Sequence, residues 1–121
     1  MPKSNVASWV LAGMLALVFG FVGFLKLSTS PMEVAVFTHF GYPLWFMYVI
    51  GTVELVGALG LVFGRLIDAR LSRMAAIGLL IVMTGAIGSH LMFDPLLMML
   101  PAVVLSALLL GFLYANKPVV V

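Results

Sequence analysis

The chain has 121 residues and no cysteine. Disulfide staples, thiolate metal sites and CxxC redox chemistry are therefore excluded outright. Charge is scarce as well: Asp, Glu, Lys and Arg make up 8% of the residues, against roughly 25% in a soluble domain. A net charge of +2 is too small to point to a nucleic acid partner. Phosphate-binding loops, HExxH metal helices and GxSxG nucleophile elbows are absent from the sequence. What fills the chain is apolar, at 64% of its residues. No soluble core of this size hides so much apolar surface, whereas a bilayer, itself an apolar solvent, accommodates it.

Four apolar runs stand out, at about residues 6–27, 43–64, 72–93 and 95–115. Each is close to the roughly 20 residues that cross a roughly 30 Å hydrocarbon layer. None alternates with period two, which argues against a β-barrel. The expected fold is all-α: one integral membrane four-helix bundle over residues 1–121. The first run, preceded by Lys3, exceeds the roughly 7–15 residues of a signal-peptide core and reads as a retained anchor.

The connections differ in character. Ser28, Thr29, Ser30 and Pro31 read as a helix stop and a new start. A short interfacial helix is expected over residues 32–40, with Val36, Phe37 and Phe40 facing lipid. Residues 65–73 read as a charged turn, and Asp94 is placed to cap the fourth span. Pro101, inside that span, is expected to bend it.

An even number of spans puts both termini on one side. Lys3, Arg65, Arg70, Arg73 and Lys117 share that side, while Glu33, His39 and Asp94 share the other. The positive-inside rule then places the termini in the cytoplasm, on one side of a membrane crossed four times. Small residues recur at helical spacing in Ala12, Ala16 and Gly20, in Gly57, Gly60 and Gly64, in Gly85 and Ser89, and in Ala107, Gly111 and Ala115. Such faces let backbones approach closely within a bundle.

Three ionisable residues fall inside apolar runs: Lys26, Glu54 and His90. An ionised group at mid-bilayer costs at least roughly 2.5–3.5 kcal/mol, so such groups face the bundle interior and find partners. Lys26 by itself reads as an interface anchor, and His90 is evenly balanced between an interfacial and a functional role. Glu54 is the deep acid, roughly 16 Å from the outer end of its helix at 1.5 Å per residue. It is the foremost candidate for ligand binding or proton handling. A joint Glu54, His90 and Lys26 site is expected if the helices face one another. Metal chemistry finds little footing: His39 and His90 are a weak axial pair for haem, with one in a loop and no attachment motif.

The stretch Gly23 to Leu27 reads GFLKL, Phe40 to Pro43 reads FGYP, Gly51 to Leu61 reads GTVELVGALGL, and Met83 to Leu91 reads MTGAIGSHL. In this pattern, spread over about residues 10–115, the chain resembles the DoxX-like family of small bacterial membrane proteins. The resemblance implies a four-span bundle in the inner membrane. It also implies association with membrane oxidoreductases, including thiosulfate:quinone oxidoreductase subunits, and carries its polar positions onto Lys26, Glu54 and His90.

Three functions follow as expectations. The first is a membrane subunit that binds a quinone or another lipophilic molecule, with Glu54 handling a proton while His90 and Lys26 position the ligand's oxygen. The second is a structural or assembly role beside a membrane or peripheral protein. The third is a small proton-coupled exporter, although small multidrug transporters carry their membrane glutamate in the first span.

Overall fold

A computed structural model describes residues 2–116. Lys117 and the side chain of Lys3, both counted in assigning the topology, lie outside the described residues. Among these residues there are helices and no strand. In order they are α1 (Pro2–Leu27), α2 (Pro31–Phe40), α3 (Leu44–Ile67), α4 (Ala69–Phe93), a 3-10 turn (Leu96–Met99) and α5 (Leu100–Ala115). Four stretches are long and apolar enough to span a membrane: Val6–Leu27, Leu44–Ile67, Ala69–Phe93 and Leu96–Ala115. Helices suit lipid because each satisfies its own backbone polar groups.

The four spans form a closed ring of contacts, α1 on α3, α3 on α4, α4 on α5 and α5 back on α1. The core is read directly from helical spacing. Ala12, Leu15 and Phe19 face inward from α1, Ala58 and Leu61 from α3, Ala76, Leu79 and Met83 from α4, and Leu109 and Phe112 from α5. Outward go Leu17, Phe21 and Phe24 on α1, and Val56 and Phe63 on α3. Small residues set the closeness of packing. A Cβ on Gly57 would stand 2.8 Å from Leu79 Cγ, and one on Gly60 would stand 2.8 Å from Ala75 Cβ.

Several local expectations need correction. Residues 65–73 are not a turn: α3 runs to Ile67, α4 begins at Ala69, and only Asp68 between them is extended (φ −161°, ψ 131°). The Asp68 carboxylate accepts the Arg70 N–H at 2.9 Å and so starts α4. Arginine is a good helix former, and Arg65 lies 4.3 Å over the Trp9 ring rather than in a loop. Asp94 does not cap α5. It closes the C-terminus of α4 through its N–H to the His90 carbonyl, 2.9 Å, and its side chain turns to histidines. Pro101 bends no continuous helix, because it falls in the first turn of α5. Its ring is incompatible with an α-helical carbonyl four residues back, so a 3-10 turn precedes it.

The bundle's two ends are tied differently. At the end with the termini, Arg73 Nη1 donates to the carbonyls of Leu113 and Asn116 at 2.8 and 2.9 Å, closing α5. Asn116 Nδ2 donates to Ser72 Oγ at 3.0 Å. At the other end α2 lies against the start of α3. Gly41 (φ 79°) takes the left-handed conformation that ends α2, and Tyr42 N–H reaches back to the Phe37 carbonyl at 2.9 Å. Phe37 is buried against Tyr42 and Phe46, and Phe40 packs on His90 and Phe93. Of the three residues expected to face lipid from α2, only Val36 is exposed.

Candidate functional site

The polar side chains at the α2 end gather into two clusters. The first begins with a helix crossing. A Cβ on Gly23 would stand 2.8 Å from the Gly51 carbonyl oxygen and 2.9 Å from the Leu55 nitrogen. No side chain but hydrogen fits there, so α1 and α3 touch backbone to backbone. One turn on, Lys26 Nζ lies 2.9 Å from Glu54 Oε1 and 3.2 Å from Glu33 Oε1. Lys26 is 8% exposed and Glu54 2%.

Helix geometry explains how a lysine at the end of α1 meets a glutamate ten residues into α3. Gly51 faces Lys26, so the first two turns of α3 project past the end of α1 and are met by α2. Side chains on a helix lean toward its N-terminus. The two helices are antiparallel, so Lys26 leans into the bundle and Glu54 leans outward to meet it. At 2.9 Å the Lys26 ammonium and Glu54 Oε1 form a close ion pair.

The second cluster joins α2 to the end of α4. One oxygen of Asp94 meets His39 Nε2 at 2.7 Å, and the other meets His90 Nδ1 at 2.8 Å. These bonds, that from His90 foremost, hold the Asp94 carboxyl below the usual carboxylate range despite partial burial. Asp94 is therefore an ionised acceptor and both imidazoles donate. Nearby, Tyr42 Oη and Ser89 Oγ are 2.6 Å apart, and Ser89 Oγ also donates to the Gly85 carbonyl at 2.9 Å. Beside the histidines runs an open groove of about 270 Å³, walled by Met32, Val36, Phe40 and Met98 and bordered by His39, His90 and Asp94.

Lys26 and Glu54 are thus brought together, while His90 bonds to neither of them and belongs to the second cluster. His39 lies on α2 rather than in a loop.

Residues 10–112 of this four-span chain match the DoxX-like family. The chain belongs to that family. It is 36% identical to the uncharacterized protein YdgD of Bacillus subtilis (strain 168) over 95 residues, which take in 75% of this chain and 71% of that relative. No solved structure matches it.

For this DoxX-like chain, sequence reasoning missed Glu33, Asp94 and His39 as members of polar clusters. It placed all three at one end, Glu33 and His39 within the stretch expected to form a short interfacial helix and Asp94 as a helix cap, but gave them no polar partners. The available signal was spacing: His90 and Asp94 are four apart on a helix, the separation at which side chains meet. Glu33 in the first turn of α2 gave no comparable clue to Lys26.

Proposed function

We propose that this DoxX-like protein is a membrane subunit that binds a lipophilic, ring-bearing molecule of the quinone type, serving a membrane oxidoreductase system. The supporting observation is the groove itself, where apolar walls meet two imidazoles fixed by one carboxylate. Ligand sites typically pair apolar walls with a few placed polar groups. An apolar cavity of roughly 150 Å³ suffices for benzene, so about 270 Å³ holds one substituted ring. A hydrocarbon tail would leave the groove for the lipid. The imidazoles would grip the oxygen head group, and their bond to Asp94 suits them to exchange a proton with it.

In this reading the Lys26, Glu54 and Glu33 cluster holds helices rather than ligand. Glu54 is 2% exposed and sits against a backbone crossing with no space for a ring. The termini are assigned to the cytoplasmic side of a bacterial inner membrane on the placement of Arg65, Arg70 and Arg73. A single cysteine at Thr38, in a chain with none of its own, should react with an impermeant maleimide from outside intact cells.

The deciding test is extraction of wild type, His90→Leu and Glu54→Gln in mild detergent, followed by mass spectrometry of bound lipophiles. An aromatic lipophile retained by wild type and Glu54→Gln but lost from His90→Leu is the expected result. Equal retention by all three, or no lipophile in any, would overturn the proposal.

A further inference from the structure

Three arginines stand at the rim that carries the termini, and contacts within the chain account for two of them. Arg70 is paired with Asp68, Nη2 to Oδ2 at 3.1 Å and backbone N–H to Oδ1 at 2.9 Å. Arg73 Nη1 is spent on the carbonyls of Leu113 and Asn116. Arg65 differs. Its Nη1 is buried and has no hydrogen-bond partner, and Arg65 forms no ion pair among the described residues. Its guanidinium carbon lies 4.3 Å over the Trp9 ring and 5.9 Å from the ring of Phe112, a core residue. Long cationic side chains near a helix end ordinarily snorkel to water, yet this one turns in over two aromatic rings. A guanidinium does not shed its proton to escape the cost. Attraction to the rings offsets only part of that cost. The charge calls for an anion, and Asp68, the acid at this rim among the described residues, is committed to Arg70.

Placement decides which anion. Arg65 stands two residues from the end of the apolar stretch Leu44–Ile67, and Trp9 three residues into Val6–Leu27. At 1.5 Å per residue both lie roughly 3–5 Å inside the ends of their spans, where tryptophans gather at the headgroup level. Trp9 is 40% exposed and Arg65 half-buried, so the stacked pair is open on one side. A planar guanidinium held on a ring can offer its free edge to two oxygens of a phosphate. We propose that Arg65, seated on Trp9, anchors the phosphate of an acidic phospholipid of the phosphatidylglycerol class. Arg65, Arg70 and Arg73 outnumber Asp68 here, which favours an acidic headgroup over a zwitterionic one. The site lies at the opposite end of the bundle from the α2 groove and does not depend on what that groove binds.

The test exploits the chain's two tryptophans, Trp9 and Trp45. With Trp45→Phe as background, the whole protein is placed in dioleoyl phosphatidylcholine vesicles containing a brominated phosphatidylglycerol or a brominated phosphatidylcholine. Quenching of Trp9 fluorescence gives the relative affinity of each lipid for its neighbourhood. Phosphatidylglycerol should be preferred about fivefold, the contribution of one arginine at a membrane surface. Arg65→Gln should bring the preference below twofold, Arg65→Lys should keep more of it, and Arg70→Gln should leave it nearly unchanged. Dichroism confirms that each variant is folded, and the preference in the Arg65 parent stands as a test even where a variant is not. Equal quenching of the parent by the two lipids overturns the proposal, as does an undiminished preference in folded Arg65→Gln. An equal loss in Arg70→Gln overturns it too, because the attraction would then belong to the rim's charge at large. Millimolar inorganic phosphate should leave the preference intact; its disappearance would assign the site to free phosphate and overturn the lipid reading.

Discussion

Replacing Lys26 should cost far more than replacing its partner, and replacing both should cost little. Lys26→Met leaves Glu54, 2% exposed, facing apolar helices with its charge uncompensated. Breaking a buried pair from one side in this way costs about 3 kcal/mol or more. Glu54→Met leaves Lys26 with a second counterion, Glu33, already 3.2 Å away. That loss should be about 1 kcal/mol, near the size of ordinary interhelical polar contacts in membranes. The double variant removes the most deeply buried charge, leaves unpaired only Glu33, whose side chain is 15% exposed, and fills the space with thioethers, which adapt to irregular gaps. It should unfold within about 1 kcal/mol of wild type. The coupling between the two sites is then about 3 kcal/mol. The assay is reversible unfolding in mixed micelles with increasing dodecyl sulfate, followed by far-ultraviolet dichroism. Equal losses for the two single variants would show that Glu33 does not stand in for Glu54. A double variant as unstable as the two losses combined would refute the pairing altogether.

Two further outcomes follow from the geometry. Gly23→Ala pushes a methyl into the Gly51 carbonyl and the Leu55 nitrogen, and should destabilise by about 2 kcal/mol. Gly20→Ala, whose new Cβ would meet Ala58 at an ordinary 3.8 Å, should stay within about 0.5 kcal/mol of wild type, and a comparable loss at both positions would count against the close crossing. Acid should act on α2 through Asp94. Its carboxyl is held below the ordinary value of 3.8, so its contribution is present above that value and lost as pH falls through the lowered one. Hydrogen exchange of Pro31–Phe40 should therefore stay protected at pH 5 and rise only in stronger acid, and Asp94→Asn should abolish that acid step; release of α2 at pH 5 in wild type would contradict it.

Much of the fold was legible because lipid leaves few options. Runs of about 20 apolar residues and scarce charge led directly to four spans, and the small-residue faces of α1 and α3 led to tight packing. The GFLKL and GTVELVGALGL stretches carried the family. Legibility failed where partners come from different elements. The meeting of Lys26 with Glu54 was expected only on the condition that their helices face one another. The offset between α1 and α3 is fixed by Gly23 and Gly51, which hydropathy does not distinguish from other small residues. His90 and Glu54 looked like neighbours because both are polar and both lie toward one end, yet they sit on different faces of the bundle. Residues 65–73 looked like a loop because charge there was taken for exposure to water, although a single extended residue, Asp68, is enough to reverse the chain.

Short as it is, α2 is fastened at both of its ends to different walls of the bundle: Glu33 to Lys26 of α1, and His39 with the following Tyr42 to Asp94 and Ser89 beyond and along α4. It works as a tie-rod across the mouth. The α1–α3 pair and the α4–α5 pair cannot splay apart there without stretching it. At the opposite rim the side-chain ties from Arg73 and Asn116 join only α4 to the end of α5, so the tie that spans both helix pairs is α2.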